Sequence, residues 1–205
     1  MLLPVFARSF GRVVRLVRGR VYLQPPRQRD WKQWSQLRHA SRQFLVPWEP
    51  TWAYDSLTRS AFRRRVRVYA QEWRHGTGYS FFVFRRSDDR LLGGVTLSNV
   101  RRGVAQNGSL GYWIGETFAR QGLMTEALAG VLDFAFDDLG LHRIEAACLP
   151  SNEASRAVLL KLGFAQEGFA REFLRINGAW QDHVLFAILR NDPRPAFGLE
   201  QEAAR

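Results

Sequence analysis

The feature that most constrains the fold is a change of period in the second half of the chain. From Thr125 the apolar residues Leu128, Val131, Leu132, Ala135, Phe136 and Leu139 recur at helical spacing, and Gly140 ends the pattern. A strand pattern, "SLGYWIG", precedes this helix and another, "HRIEAACL", follows it. Strand, helix and strand in that order form a crossover unit whose two strands run parallel. The stretch between the first strand and the helix, "ARQGLMTEAL", carries one glycine, Gly122, at the helix entrance. It is either an ordinary turn or a cradle in which unpaired amides and the positive end of the helix dipole meet an anion.

The elements upstream and downstream complete one domain. A strand near Val21 to Leu23 is followed by Pro25 and Pro26, and then a helix is predicted from an Asp30 cap through "RDWKQWSQLRHASRQFL". "FLVPWEPTW" reads as a proline-broken aromatic loop, and Leu57, Ala61, Phe62, Val66, Tyr69 and Trp73 predict a second helix stopped by Gly76 and Gly78. Five of the seven tryptophans fall in this region, as core and lid packing. "YSFFVFRR", "RLLGGVTLSNV" and "SLGYWIG" predict an antiparallel meander, with a bulge at the glycine pair. After the crossover unit, a helix from about Glu153 to Leu162 is capped by Asn152 and stopped by Gly163. Two closing strands, Glu167 to Leu174 and Trp180 to Leu189, flank the turn Asn177-Gly178. We read residues 1–20 as a basic arm, 21–190 as a single domain and 191–205 as a tail.

Charge and composition narrow the function. Of 30 basic residues 28 are arginine, against 19 acidic ones, for a net charge of +11. Arginine forks suit phosphate. Seven arginines precede the first acid, Asp30, and "RSAFRRRVR" carries five more; each cluster is either a solvated face or a patch facing a polyanion. No apolar run is long enough to cross a bilayer, so no membrane partner is expected. The single cysteine, Cys148, leaves no internal disulfide and fits the cytoplasm. Neither Lys32 nor Lys161 stands in a Gly-Lys-Ser/Thr context, which excludes a P-loop. "GYSFF" lacks the second glycine of a nucleophile elbow, no G-x-G-x-x-G occurs, and the four histidines have no metal-ligand spacing. Neither nicotinamide nor a metal is expected.

Three stretches, "YWIGETFARQGLMTEAL", "LHRIEAACLPSNEASRAVLLKLGF" and "INGAWQDHVLFAIL", in this order and spacing resemble the GNAT superfamily of acetyl-CoA-dependent N-acetyltransferases. Within it they are similar to the RimJ/RimL branch of ribosomal-protein N-terminal acetyltransferases, over about Val21 to Leu189. The resemblance implies an α+β fold: a mixed, mostly antiparallel sheet with one parallel strand-helix-strand unit and helices on both faces. It also implies acetyl-CoA as co-substrate, its pyrophosphate on the amides of Arg120, Gln121, Gly122, Leu123, Met124 and Thr125. Asn152 and Ser155 would contact the cofactor side, and the strand around Trp113 and Ile114 would splay from "HRIEAAC" and leave backbone groups for the pantetheine arm. Ala119 and Met124 depart from the usual loop, so backbone amides must do more of the holding.

The tyrosine that many members use as acid for the leaving thiolate is Leu159 here. Ser155 is the first substitute, one turn from Asn152, with Tyr112 and Cys148 behind it; the alternative for Ser155 is a helix-start residue bonding to backbone. An α-amine with a pKa of about 7.7 to 8.0 needs little help to deprotonate. A water chain ending on Glu116, Glu145, Glu172 or Asp182 would suffice as base, whereas His183 reads as structural. The expected function is acetyl transfer to a protein N-terminus, such as that of a ribosomal protein, with arginine patches assisting docking on the ribosome. The alternatives are a small-amine or antibiotic acetyltransferase, disfavoured for polycations by the +11 charge, and a basic ribosome- or RNA-binding protein weakened in catalysis.

Overall fold

The computed structural model describes residues 14–195 and 197. Eight strands form one sheet: β1 (Leu16–Arg18), β2 (Val21–Gln24), β3 (Tyr79–Arg85), β4 (Leu91–Arg101), β5 (Asn107–Ile114), β6 (Arg143–Cys148), β7 (Ala165–Ile176) and β8 (Ala179–Leu189). Their order is β1-β2-β3-β4-β5-β6-β8-β7, and every neighbouring pair is antiparallel except β5 and β6. Between them lie the helices α1 (Trp31–Ala40), α2 (Arg42–Leu45), α3 (Arg59–His75), α4 (Leu123–Asp133) and α5 (Glu153–Lys161). The antiparallel meander β3-β4-β5 and the parallel crossover β5-α4-β6 are both present as read from the sequence.

Side-chain alternation decides which helix lies on which face. Val21, Leu23, Phe81 and Val83 pack with α4 and α5 residues such as Leu128 and Leu159, while Tyr22, Phe82 and Phe84 pack with Trp34 of α1 and Phe62 of α3. Because both faces are covered, "YSFFVF" is buried without interruption. Each fully buried large apolar side chain here contributes about 1.5–3 kcal/mol.

The elements depart from the expected ones in three places that matter for the site. The first helix does not run through to Leu45: it breaks at Ser41, whose buried hydroxyl accepts the Glu116 amide at 3.0 Å. This bond ties the α1–α2 corner to the turn after β5. The bulge falls at Leu92, next to the glycine pair, since Val83 pairs with Gly93 and Phe84 with Leu91. The glycines themselves admit Trp113: a Cβ on Gly93 would lie 2.2 Å from the Trp113 carbonyl oxygen, and one on Gly94 2.7 Å from its Nε1. Finally, β1 lies inside the stretch read as an arm and pairs with β2 through Leu16–Leu23 and Arg18–Val21. Residues 1–13 of that arm, and most of the tail beyond Pro195, lie outside the described residues.

Candidate active site

The loop "ARQGLMTEAL" leaves β5 through a short 3-10 turn, Glu116–Phe118, and enters α4 with Arg120 at φ +60° and Gly122 at φ +77°. Left-handed backbone at Gly122 carries little strain because glycine has no Cβ. No side chain caps α4, so the amides of Leu123, Met124 and Thr125 have no acceptor among the described residues. The helix begins at Leu123, two residues earlier than the apolar period announces, because Leu123, Met124 and Thr125 are all buried. Arg120, Gln121 and Gly122 face solvent, and the Gln121 side chain turns back to donate to the Thr117 carbonyl at 2.9 Å. What the loop offers an anion is therefore backbone amides and the exposed Arg120 side chain.

Beside this cradle the parallel pair comes apart. β5 and β6 pair at Asn107–Arg143, Gly108–Ile144 and Ser109–Glu145 and no further, although β5 continues to Ile114 and β6 to Cys148. The facing edges around Trp113, Ile114 and Ala147 keep unpaired backbone groups, as expected for a V-shaped cleft. Three of the sequence-derived candidates meet in it. The Tyr112 hydroxyl lies 2.7 Å from Ser155 Oγ and 3.3 Å from the Ser155 carbonyl, and the Cys148 thiol lies close to both residues. Burial pushes the Tyr112 phenol well above its ordinary range, with the Ser155 bond working against it, and burial likewise raises the Cys148 thiol. The phenol and the thiol are thus held protonated at neutral pH. If the phenol donates to the Ser155 carbonyl, Ser155 Oγ–H donates to Tyr112; if it donates to Oγ, the serine proton is free to serve another acceptor. The Asn152 side-chain oxygen accepts the Ser155 amide at 3.0 Å, so this residue caps α5 and keeps its NH2 to donate to a ligand.

On the other side of the sheet a cavity of about 290 Å³ opens toward the same strand, lined among others by Trp34, Arg38, Glu49, Gly94, Gly111 and Trp113. Its polar centre is a pair that the sequence reading did not single out. Arg38 Nη1 and Nη2 bind the two Glu49 oxygens at 2.9 and 2.5 Å, and Trp52 Nε1 donates to the same carboxylate at 2.7 Å. The Arg38 guanidinium lies 4.3 Å from the Trp52 ring centre and 4.8 Å from that of Trp113. The signal was present: Glu49 is the lone acid in "FLVPWEPTW". The β7–β8 turn closes over this loop, with the Asn177 amide donating to the Glu49 carbonyl at 2.9 Å. Gly111 faces open space, its absent Cβ having no atom within 4 Å.

The four carboxylates named as ends of a water chain do not converge. Glu116 is exposed on the 3-10 turn; Glu145 pairs with Arg143 at the last rung before the strands part; Asp182 accepts the Glu172 amide within the β7–β8 hairpin. His183 is buried and its Nδ1 lies 2.9 Å from the Gln181 carbonyl, a structural role as read.

These features match known proteins over most of the chain. Residues 20–165 match the family described as acetyltransferase (GNAT) domain. The chain is 38% identical over 172 residues to the probable N-acetyltransferase YjcK of Bacillus subtilis, covering 84% of this chain and 95% of that protein. It is 33% identical over 182 residues to the ribosomal protein uS5-alanine N-acetyltransferase of Escherichia coli, covering 89% and 94%. Mycobacterium smegmatis RimJ, solved in complex with CoA-disulfide, superposes with a TM-score of 0.80 at 37% identity, over 86% of each chain. The match over residues 20–165 and the relatives at 38% and 33% identity agree: the chain is an N-acetyltransferase of the GNAT superfamily.

Proposed function

We propose that the chain transfers the acetyl group of acetyl-CoA directly to the N-terminal α-amine of a protein, with a ribosomal protein as the acceptor class. The observation that carries this reading is that β5 brings three features together: the uncapped start of α4 that follows it, the gap where it parts from β6, and the cavity lined by its Gly111 and Trp113. The amides of Arg120 to Thr125 would hold the pyrophosphate, and the free edges around Trp113 and Ile114 would pair with pantetheine and polarise the thioester carbonyl as an oxyanion site does. The uncharged amine enters through the cavity and attacks the carbonyl carbon, the C–S bond breaks, and the proton shed by the new amide nitrogen passes to water, from which the Ser155–Tyr112 pair regains the proton it gives up. Ser155, relayed by Tyr112, protonates the departing thiolate. No carboxylate stands out as base, which an α-amine tolerates far better than a lysine would.

The acceptor class rests on charge as well as on the likeness to the uS5-alanine enzyme. On α3 the exposed Arg59, Arg63, Arg67 and Arg74 fall on one stripe, at i, i+4, i+8 and i+15, and Glu72 is the only acid on that helix. Arg65 of the same helix lines the cavity. A row of exposed arginines on the helix that also lends Arg65 to the cavity suits docking on an RNA-rich particle and repels free polyamines. We place this activity in the cytoplasm; among the described residues no helix is long and apolar enough to cross a membrane.

The test is a panel of peptides differing at their first residue, incubated with acetyl-CoA and read by mass. A gain of one acetyl group on free N-termini, absent from N-terminally blocked peptides that retain lysine, supports the proposal. Turnover confined to small amines would replace it, and binding of acetyl-CoA without turnover would leave a binding protein.

A further inference from the structure

The cradle at the start of α4 has a conspicuous defect for an anion site. Glu126 stands in the first turn of the helix, where a carboxylate stabilises the helix dipole and repels any anion that approaches the same amides. Its neutralisation comes from the opposite end of the chain. Arg20, in the turn between β1 and β2, gives Glu126 three hydrogen bonds: backbone N to Oε2 at 2.8 Å, Nε to Oε1 at 2.8 Å and Nη2 to Oε1 at 2.5 Å. The same Nη2 binds the Gln121 carbonyl at 2.8 Å, on the cradle itself. The guanidinium also lies against Gly122, 3.4 Å from where a Cβ would stand. The arginine is in turn fixed from behind, since Arg86 donates from its backbone N to the Arg20 carbonyl at 2.9 Å and from Nη1 to the Gly19 carbonyl at 2.7 Å.

One cation thus collects the two negative groups nearest the cradle, a carboxylate and a carbonyl. We infer that Arg20 is a positioning residue for the diphosphate of acetyl-CoA: it cancels the Glu126 charge and holds the Gln121 carbonyl aside, so that the amides from Gly122 to Thr125 present a net positive end to the ligand. The inference rests on the proposed acetyl-CoA reading and adds to it a residue outside the crossover unit, acting through two others. It also gives the β1–β2 hairpin a part in donor binding.

The arrangement makes a prediction that a structural bond would not. If Arg20 works by cancelling Glu126, removing it alone leaves an uncompensated carboxylate at an anion site, and removing both charges restores the balance. Binding of acetyl-CoA by calorimetry is measured for the wild-type chain, Arg20→Gln and the double variant Arg20→Gln/Glu126→Gln, with unliganded melting temperatures to report folding. Arg20→Gln is expected to weaken binding on the order of tenfold or more, and the double variant to return to within about threefold of wild type. A double variant as weak as Arg20→Gln would overturn the inference, because the arginine would then act on the ligand itself or only hold the hairpin. Wild-type affinity in Arg20→Gln would overturn it too. Should Arg20→Gln not fold, Arg20→Lys, which keeps the charge but loses the fork, replaces it: binding closer to wild type than a few-fold loss supports charge cancellation, and a loss of tenfold or more refutes it. Absence of acetyl-CoA binding in the wild type would instead remove the reading on which the inference stands.

Discussion

Replacing Glu49 by alanine should be among the most damaging single changes on the acceptor side, and its cost can be worked from the geometry. The Arg38 side chain is 10% exposed and that of Glu49 19%, and both carboxylate oxygens are taken by the guanidinium. Removing one partner of a buried pair strands the other charge, at a cost of about 3–5 kcal/mol. Residual exposure and the aromatic faces around the guanidinium favour the lower end, so we expect about 3 kcal/mol, including the acceptor lost by Trp52 Nε1. In a domain of this size that lowers the melting temperature by roughly 6–12 °C. Urea unfolding at neutral pH measures it directly, as a fall in midpoint at constant slope. The double variant Arg38→Met/Glu49→Met removes both charges and keeps the volume, and should recover to within about 1 kcal/mol of wild type. A loss below about 1 kcal/mol in Glu49→Ala, or a double variant no better than the single one, would refute the reasoning.

Three further outcomes are expected. Ser155→Ala should lose about ten- to a hundredfold in turnover while retaining affinity for acetyl-CoA, read by steady-state kinetics beside calorimetry; unchanged turnover removes Ser155 as acid. Gly111→Leu should project into the acceptor cavity and raise KM for peptide by about tenfold or more with little effect on KM for acetyl-CoA, since only open space lies there now. Tyr22 is pushed up to about 12 by burial and then by its 2.8 Å bond to Asp89, so the folded chain keeps a proton that the unfolded chain releases above about pH 10. Its contribution is full below about pH 10 and is lost as pH rises toward 12; unfolding measured across that range should decline less steeply in Tyr22→Phe, and parallel curves would contradict the assignment.

The crossover unit was legible because each of its parts carries a local signal: alternation in β5 and β6, a helical period in α4, and Gly122 between them. Even there the helix start slipped by two residues, since Leu123 and Met124 look like loop until their burial is known. Asn152 was legible as a cap for the same reason, a short polar side chain immediately before an apolar period. The break at Ser41 was not, because its cause is a bond to Glu116, 75 residues away. Likewise β1 hides in an arginine-rich stretch whose strand character depends on pairing with β2, and Arg20 earns its place only by meeting Glu126 at a separation of 106 residues. Arg38 and Glu49 are eleven residues apart, yet the ring of Trp113, from β5, is needed to complete their cluster. Ser155, Tyr112 and Cys148 were named although they sit on α5, β5 and β6, but only through the family resemblance; contacts with neither a local signal nor a resemblance behind them were not readable.

The choice of arginine over lysine on α3 has one more consequence. A transferase for amines carries its own hazard, because every lysine near the cleft is an amine held permanently at high local concentration beside a thioester. This chain has only Lys32 and Lys161, and the helix that borders the acceptor cavity, α3, is cationic without a single lysine. Guanidinium groups stay charged at any physiological pH and do not compete as nucleophiles. The α3 surface can therefore attract polyanions while offering no amine of its own to an acetyl donor, which leaves Lys32 on α1 as the one lysine on a helix that lines the cavity.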